Sequence, residues 1–165
     1  MAQEYVAREP IIEHPNRDKA SSKTMRVVVV IMLLISAALI LVITLGGWEV
    51  LQGLTILCLG WVALYVMFAY FVARWNRGVL PVVAALAIIM AIFGLIAMPV
   101  WFDRDAVGFE QPALDAGLLG TLSAVLVPLQ LLLLFFAMRG FTQGWNVEFE
   151  RWEHDEDLPA APARG

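Results

Sequence analysis

Four stretches of this chain contain no Asp, Glu, Lys or Arg, and each is long enough to cross a lipid bilayer. They are Val27 to Leu45 (19 residues), Val50 to Ala73 (24), Val79 to Trp101 (23) and Ala116 to Met138 (23). At ~1.5 Å per residue, helices of these lengths run roughly 28 to 36 Å, against a hydrocarbon core of about 30 Å. Inside lipid a segment must satisfy its own backbone hydrogen bonds. Unbroken apolar runs also lack the alternation of a barrel strand, so helices are the solution. The sequence therefore predicts an all-α integral membrane protein, an antiparallel four-helix transmembrane bundle with helices at about 27–45, 50–73, 79–101 and 116–138. Composition agrees: 61% of the residues are hydrophobic and 16% charged, more apolar surface than a soluble domain of this length can bury. The first span exceeds a signal-peptide core, and Gly46-Gly47-Trp48-Glu49 offers no small-x-small cleavage site, so it is expected to be retained.

Orientation follows from the flanking cations. Of the 11 Lys and Arg residues, all but Arg104 lie in the leading tail, the second link (Arg74, Arg77) or the trailing tail, which predicts that both termini are cytoplasmic (N-in/C-in) in a multi-pass cell membrane protein. Trp48 and Trp101-Phe102 mark one interface, Trp75 and Trp145 the other.

The organisation expected from these boundaries is a flexible cytoplasmic tail over 1–24, a transmembrane domain over 25–139, and a cytoplasmic amphipathic segment with an acidic tail over 140–165. The links Gly46 to Glu49 and Arg74 to Gly78 are short, and Pro81 falls in an opening helical turn where its missing N–H costs least. The longer loop from Phe102 to Asp115 is acidic. Trp48-Glu49 and Trp101-Phe102-Asp103, like Phe71-Val72-Ala73-Arg74 and Phe136-Ala137-Met138-Arg139, give the two hairpins a faint likeness, most of which shared boundary chemistry explains, a parallel two-plus-two duplication being the alternative.

Several patterns are candidates for function. Phe141, Trp145, Phe149 and Trp152 recur at helical spacing and predict one aromatic face beyond the fourth span. The neighbouring carboxylates favour contact with a partner over anionic lipid headgroups. In the second span Trp61, Tyr65 and Phe68 form a stripe suited to helix packing or to a flat apolar ligand. In the fourth, Pro128 frees the carbonyl of Ala124, with Ser123 and Gln130 near in sequence, and predicts a kink. Small residues on the third span (Ala84, Ala87, Ala91, Gly94) and the fourth (Gly117, Gly120, Thr121, Ala124) allow close helix contact or homo-oligomer formation. Asp103-Arg104-Asp105-Ala106-Val107-Gly108 begins like a calcium loop but lacks ligand oxygens at Val107 and Leu114.

No catalytic residues, metal ligands or cofactors are expected. The spans hold no ionisable side chain of the kind coupled transport uses, and Cys58 is the single cysteine. His14 and His154 both lie in the tails, and the run His154-Asp155-Glu156-Asp157 reads as solvated. No basic stripe suits nucleic acid at a formal net charge of -4. The expected partners are the lipid bilayer and other membrane protein subunits. The expected function is a non-catalytic accessory or assembly subunit of a larger bacterial membrane complex, respiratory or transport-related. The alternative is a small self-associating channel or carrier for a neutral solute, with Thr121, Ser123 and Gln130 along its path. A third reading is an enzyme-complex subunit whose stripe touches a partner's quinone or haem.

Overall fold

The computed structural model describes residues 11–104, 106 and 108–151. Along them run β1 (Ile11–Glu13), α1 (Pro15–Asp18), α2 (Ala20–Gly46), α3 (Trp48–Leu51), α4 (Leu54–Ala73), a 3-10 turn (Arg77–Val79), α5 (Leu80–Arg104), α6 (Ala116–Thr142) and β2 (Phe149–Arg151). Four of these elements, α2, α4, α5 with its leading turn, and α6, are long and apolar enough to cross a membrane. Their outward faces carry bare aliphatic side chains such as Ile56, Ile96 and Leu131, which a hydrocarbon solvent accepts and water does not.

Helix boundaries depart from the hydropathy limits where local chemistry intervenes. α2 starts at Ala20, so residues expected to belong to a flexible tail instead form β1, α1 and the opening turns of α2. Nothing in Ala20 to Arg26 opposes the helix, and extending an existing helix is far easier than starting one. α2 ends at Gly46, but α4 begins only at Leu54, because Gln52 adopts a left-handed φ of 46°. The intervening turn is tightly packed: a Cβ on Gly47 would come within 2.5 Å of the Trp101 ring, and one on Gly46 equally close to Leu114. Asp115 caps α6 by accepting from the Leu118 N–H at 2.8 Å.

The end of α4 is a Schellman-type stop. The Asn76 N–H reaches the Phe71 carbonyl at 3.0 Å and the Trp75 N–H reaches Val72 at 3.0 Å. The residue in the left-handed position is Trp75, with φ 62°, where glycine is usual. An L-residue there costs about 1–2 kcal/mol. The indole offsets this with two contacts: the Arg26 guanidinium lies 4.2 Å from its centroid and the Trp145 ring 5.4 Å away, edge-on.

Packing is unequal around the four long helices. α5 lies along α6 with its small residues inward: Ala84, Ala87, Ala91 and Gly94 are all buried, and a Cβ on Gly94 would sit 3.0 Å from Val127. α4 packs on α2, and α2 on α6. The backbones of α4 and α5 approach each other hardly anywhere beyond the turn that joins them. Tertiary contacts also fix which helix ends lie together. Arg26 near the start of α2 donates to Ala73 at the end of α4 (3.2 Å), and Met25, Leu80 and Trp145 surround Gly140. At the other end Leu114 donates to the Gly46 carbonyl at 3.0 Å and Phe102 abuts Gly120.

Candidate functional site

Two polar constructions stand out, one inside the helical core and one where the described termini meet. The first joins three helices. The Tyr65 hydroxyl of α4 donates to Gln130 Oε1 of α6 at 2.7 Å, and Gln130 Nε2 donates to Ser36 Oγ of α2 at 2.9 Å. All three residues are fully buried. In an apolar interior an unpaired amide or phenol is costly, so each group restricts the helix register that lets the others pair. Around this chain the expected aromatic stripe faces inward: Trp61 and Phe68 are buried, and the Trp61 ring stands edge-on to Tyr65 (6.4 Å) and to Phe93 (5.7 Å). Among the described residues Trp61 Nε1 has no hydrogen-bond partner.

Tyr65 and Gln130 were legible separately as polar groups at membrane depth. Ser36 was not, since one small hydroxyl in an apolar run resembles packing material. The sequence also placed Ser123 and Gln130 as polar neighbours of the carbonyl freed by Pro128. Instead Ser123 Oγ donates one turn back to the Leu119 carbonyl at 2.9 Å, and Gln130 reaches across to other helices. α6 continues through Pro128 as one helix, and α5 likewise contains Pro99, which the hydropathy pattern did not single out.

The second construction corrects the expected aromatic face. Phe141, Trp145, Phe149 and Trp152 do not share a helix, because α6 ends at Thr142 and Gly144 turns the chain with φ 62°. Phe141 remains on the last turn, half-buried, where Arg77 Nε donates to its carbonyl at 2.7 Å and the guanidinium stacks on its ring at 4.3 Å. Trp145 folds inward and is fully buried, its Nε1 donating to Gln143 Oε1 at 3.0 Å. Phe149 lies in β2 with 59% of its surface exposed. Trp152 lies outside the described residues.

The leading segment clasps this turn. Asn16 Nδ2 donates to the Gly144 carbonyl (3.0 Å) and Arg17 Nε to the Trp145 carbonyl (3.1 Å), while β1 pairs antiparallel with β2 so that Ile12 faces Glu150 and Glu13 faces Phe149. His14 sits 3.8 Å from Glu148, a contact that is an ion pair only with the imidazole protonated. Three arginines, Arg17, Arg26 and Arg77, thus serve backbone carbonyls at this end of the molecule, Arg26 and Arg77 at the ends of α4 and α6, where cations also meet the negative end of the helix dipole.

No protein-family model, curated protein or solved structure matches this chain. Among the described residues no three His, Cys, Asp or Glu gather as a metal-ligand set. The acidic run from His154 lies outside those residues, as do Asp105 and Val107 of the calcium-like loop. What the core arrangement can do is hold α2, α4 and α6 in one register. What the terminal arrangement can do is present a short ribbon at the end of the molecule where the basic residues collect.

Proposed function

We propose that this chain is a multi-pass membrane subunit without catalytic activity of its own, which binds another membrane protein through the ribbon formed by its two tails. The observation that carries this reading is the ribbon itself. Its two strands pair opposite residues toward the same side, so Ile12 (56% exposed) lies on one face and Phe149 (59% exposed) on the other. A lone two-stranded ribbon is marginal in water, and a third strand or a covering surface completes it. An added strand or covering surface from a partner would find an apolar anchor on each side.

The interior supports a scaffold more than a conduit. The polar groups that would line a path are used up within the chain: Gln130 between Tyr65 and Ser36, Ser123 on Leu119, and Thr121 on the Gly117 carbonyl at 2.9 Å. The distribution of Lys and Arg supports an antiparallel bundle with the ribbon on the cytoplasmic side of the cell membrane.

Mild detergent extraction of the tagged full-length chain, followed by identification of what purifies with it, tests the proposal. A membrane protein in fixed stoichiometry is expected, and it is lost when Phe149→Asp and Ile12→Asp are combined. A homo-oligomer that purifies alone and passes a neutral solute in liposomes would sink the subunit reading. Orientation is tested separately with Cys58→Ser as background: Gly165→Cys should resist an impermeant thiol reagent in intact cells and react after lysis.

A further inference from the structure

The gap between α4 and α5 is more than loose packing. Away from their joining turn it holds a cavity of about 360 Å³, walled by residues such as Ile43 of α2, Leu54 and Leu57 of α4, and Phe93, Ile96 and Val100 of α5. Leu54, Leu57, Phe93, Ile96 and Val100 are each 42% to 60% exposed, so these walls reach the lateral surface and the cavity opens sideways, toward lipid.

Shape and polarity narrow the occupant. On α5 the lining runs from Met90 to Arg104, about 21 Å at ~1.5 Å per residue, so the cavity is long in the direction of the helix and apolar along most of that length. The two hydroxyls on the lining are committed to their own helices, Thr44 Oγ1 to the Ile40 carbonyl at 2.6 Å and Ser123 Oγ to Leu119 at 2.9 Å. They have no proton left to donate to a polar ligand.

One charge belongs to the lining, and it lies at the mouth. Arg104 ends α5 and is the one cation on this end of the chain's distribution of Lys and Arg. Among the described residues its guanidinium has no ion pair, although Asp103 precedes it and Glu49 stands on α3 beside the lining residues Val50 and Leu51. A guanidinium ending a long apolar slot matches a phosphodiester, for which Arg has the appropriate fork of donors. The exposed carboxylates of Glu49 and Asp103, at the same end of the molecule, match a headgroup ammonium.

We infer that the α4–α5 groove binds one membrane phospholipid of the phosphatidylethanolamine type. One acyl chain lies between the helices, the phosphate sits on Arg104, and the headgroup ammonium lies near Glu49 and Asp103. The lipid completes the seam that the chain leaves unpacked. This inference concerns the end of the molecule opposite the ribbon and does not depend on a protein partner.

Native mass spectrometry of the full-length chain in detergent, with phosphatidylethanolamine or phosphatidylglycerol of identical acyl chains added, tests it. One phosphatidylethanolamine per chain should survive desolvation, and Arg104→Gln should weaken its retention about tenfold, the loss of one charge-assisted contact. Ala97→Phe, which fills the groove from a partly exposed lining position, should abolish retention of both lipids. Circular dichroism checks that each variant keeps its helicity, and Leu131→Phe, on the lipid-facing side of α6, serves as a control that should retain lipid normally. Unsaturating adducts unchanged by Arg104→Gln and Ala97→Phe would overturn the site. Equal retention of the two lipids would overturn the headgroup assignment, and a lipid-free dimer would show that a second copy covers the seam instead.

Discussion

The two ends of this molecule solve the same packing problem in opposite ways. At the end where the tails meet, α2, α4, α5 and α6 are drawn together by arginines on carbonyls, by the Trp75–Trp145 pair and by the paired strands. At the other end α4 and α5 diverge around an apolar groove whose walls are partly exposed. At the closed end backbone carbonyls and indoles lie at helix termini, where unpaired polar groups are expensive, so side chains are recruited to cover them. The walls of the groove are aliphatic and lie on the lateral surface of apolar helices, where hydrocarbon leaves an uncovered leucine at little cost and only a void has to be filled. The chemistry of the groups left uncovered, more than connectivity, decides which seam the chain itself must close.

That contrast makes a graded set of expectations. The largest effect belongs to Trp145→Ala, which empties a fully buried site at the closed end. A loss of about 3–5 kcal/mol is expected, read from denaturant titration of helicity in micelles. If the loss were under 1 kcal/mol, the closed end would not be held by its core. Next comes Gly144→Ala, which forces a side chain into a φ of 62° and should cost about 1–2 kcal/mol in the same assay. Protease sensitivity of the trailing segment should rise with it. Within the membrane-facing core, Gln130→Leu leaves the Tyr65 hydroxyl and Ser36 without their partner. The expected cost is only about 1 kcal/mol, because interhelical hydrogen bonds in lipid are individually modest. Adding Tyr65→Phe to that variant should then change little, a non-additivity that a double-mutant cycle measures. The smallest effect is expected at the open rim: Leu54→Ala and Ile96→Ala, both more than half exposed, should each stay within about 0.5 kcal/mol in lipid-free detergent. A large destabilisation there would mean that the seam is closed by protein after all.

The spans were legible because lipid is a demanding solvent: four uncharged runs have few other destinations. Their pairing was less legible. The small residues of α5 were visible as a seam, but that they meet α6, leaving α4 and α5 apart, depends on three-dimensional fit that hydropathy does not encode. Tyr65 and Gln130 could be recognised as groups in need of partners, whereas Ser36, one helix away, carried no signal of its own. Beyond the fourth span the spacing of Phe141, Trp145 and Phe149 mimicked a helical face. The competing signal was Gly144, a residue that stops helices, and it prevailed because the left-handed turn lets Trp145 fold back into the core. The leading tail misled for a related reason, since its contacts are to backbone groups 128 positions away, which no local pattern reveals.

That distance has a consequence for how the molecule is made. β2 is synthesised after all four long helices, and its strand partner before any of them. The clasp between them therefore cannot close on a nascent chain that has inserted only two or three helices. A finished ribbon is a record that all four long helices have been made, and any factor that engages it would ignore chains that still lack one.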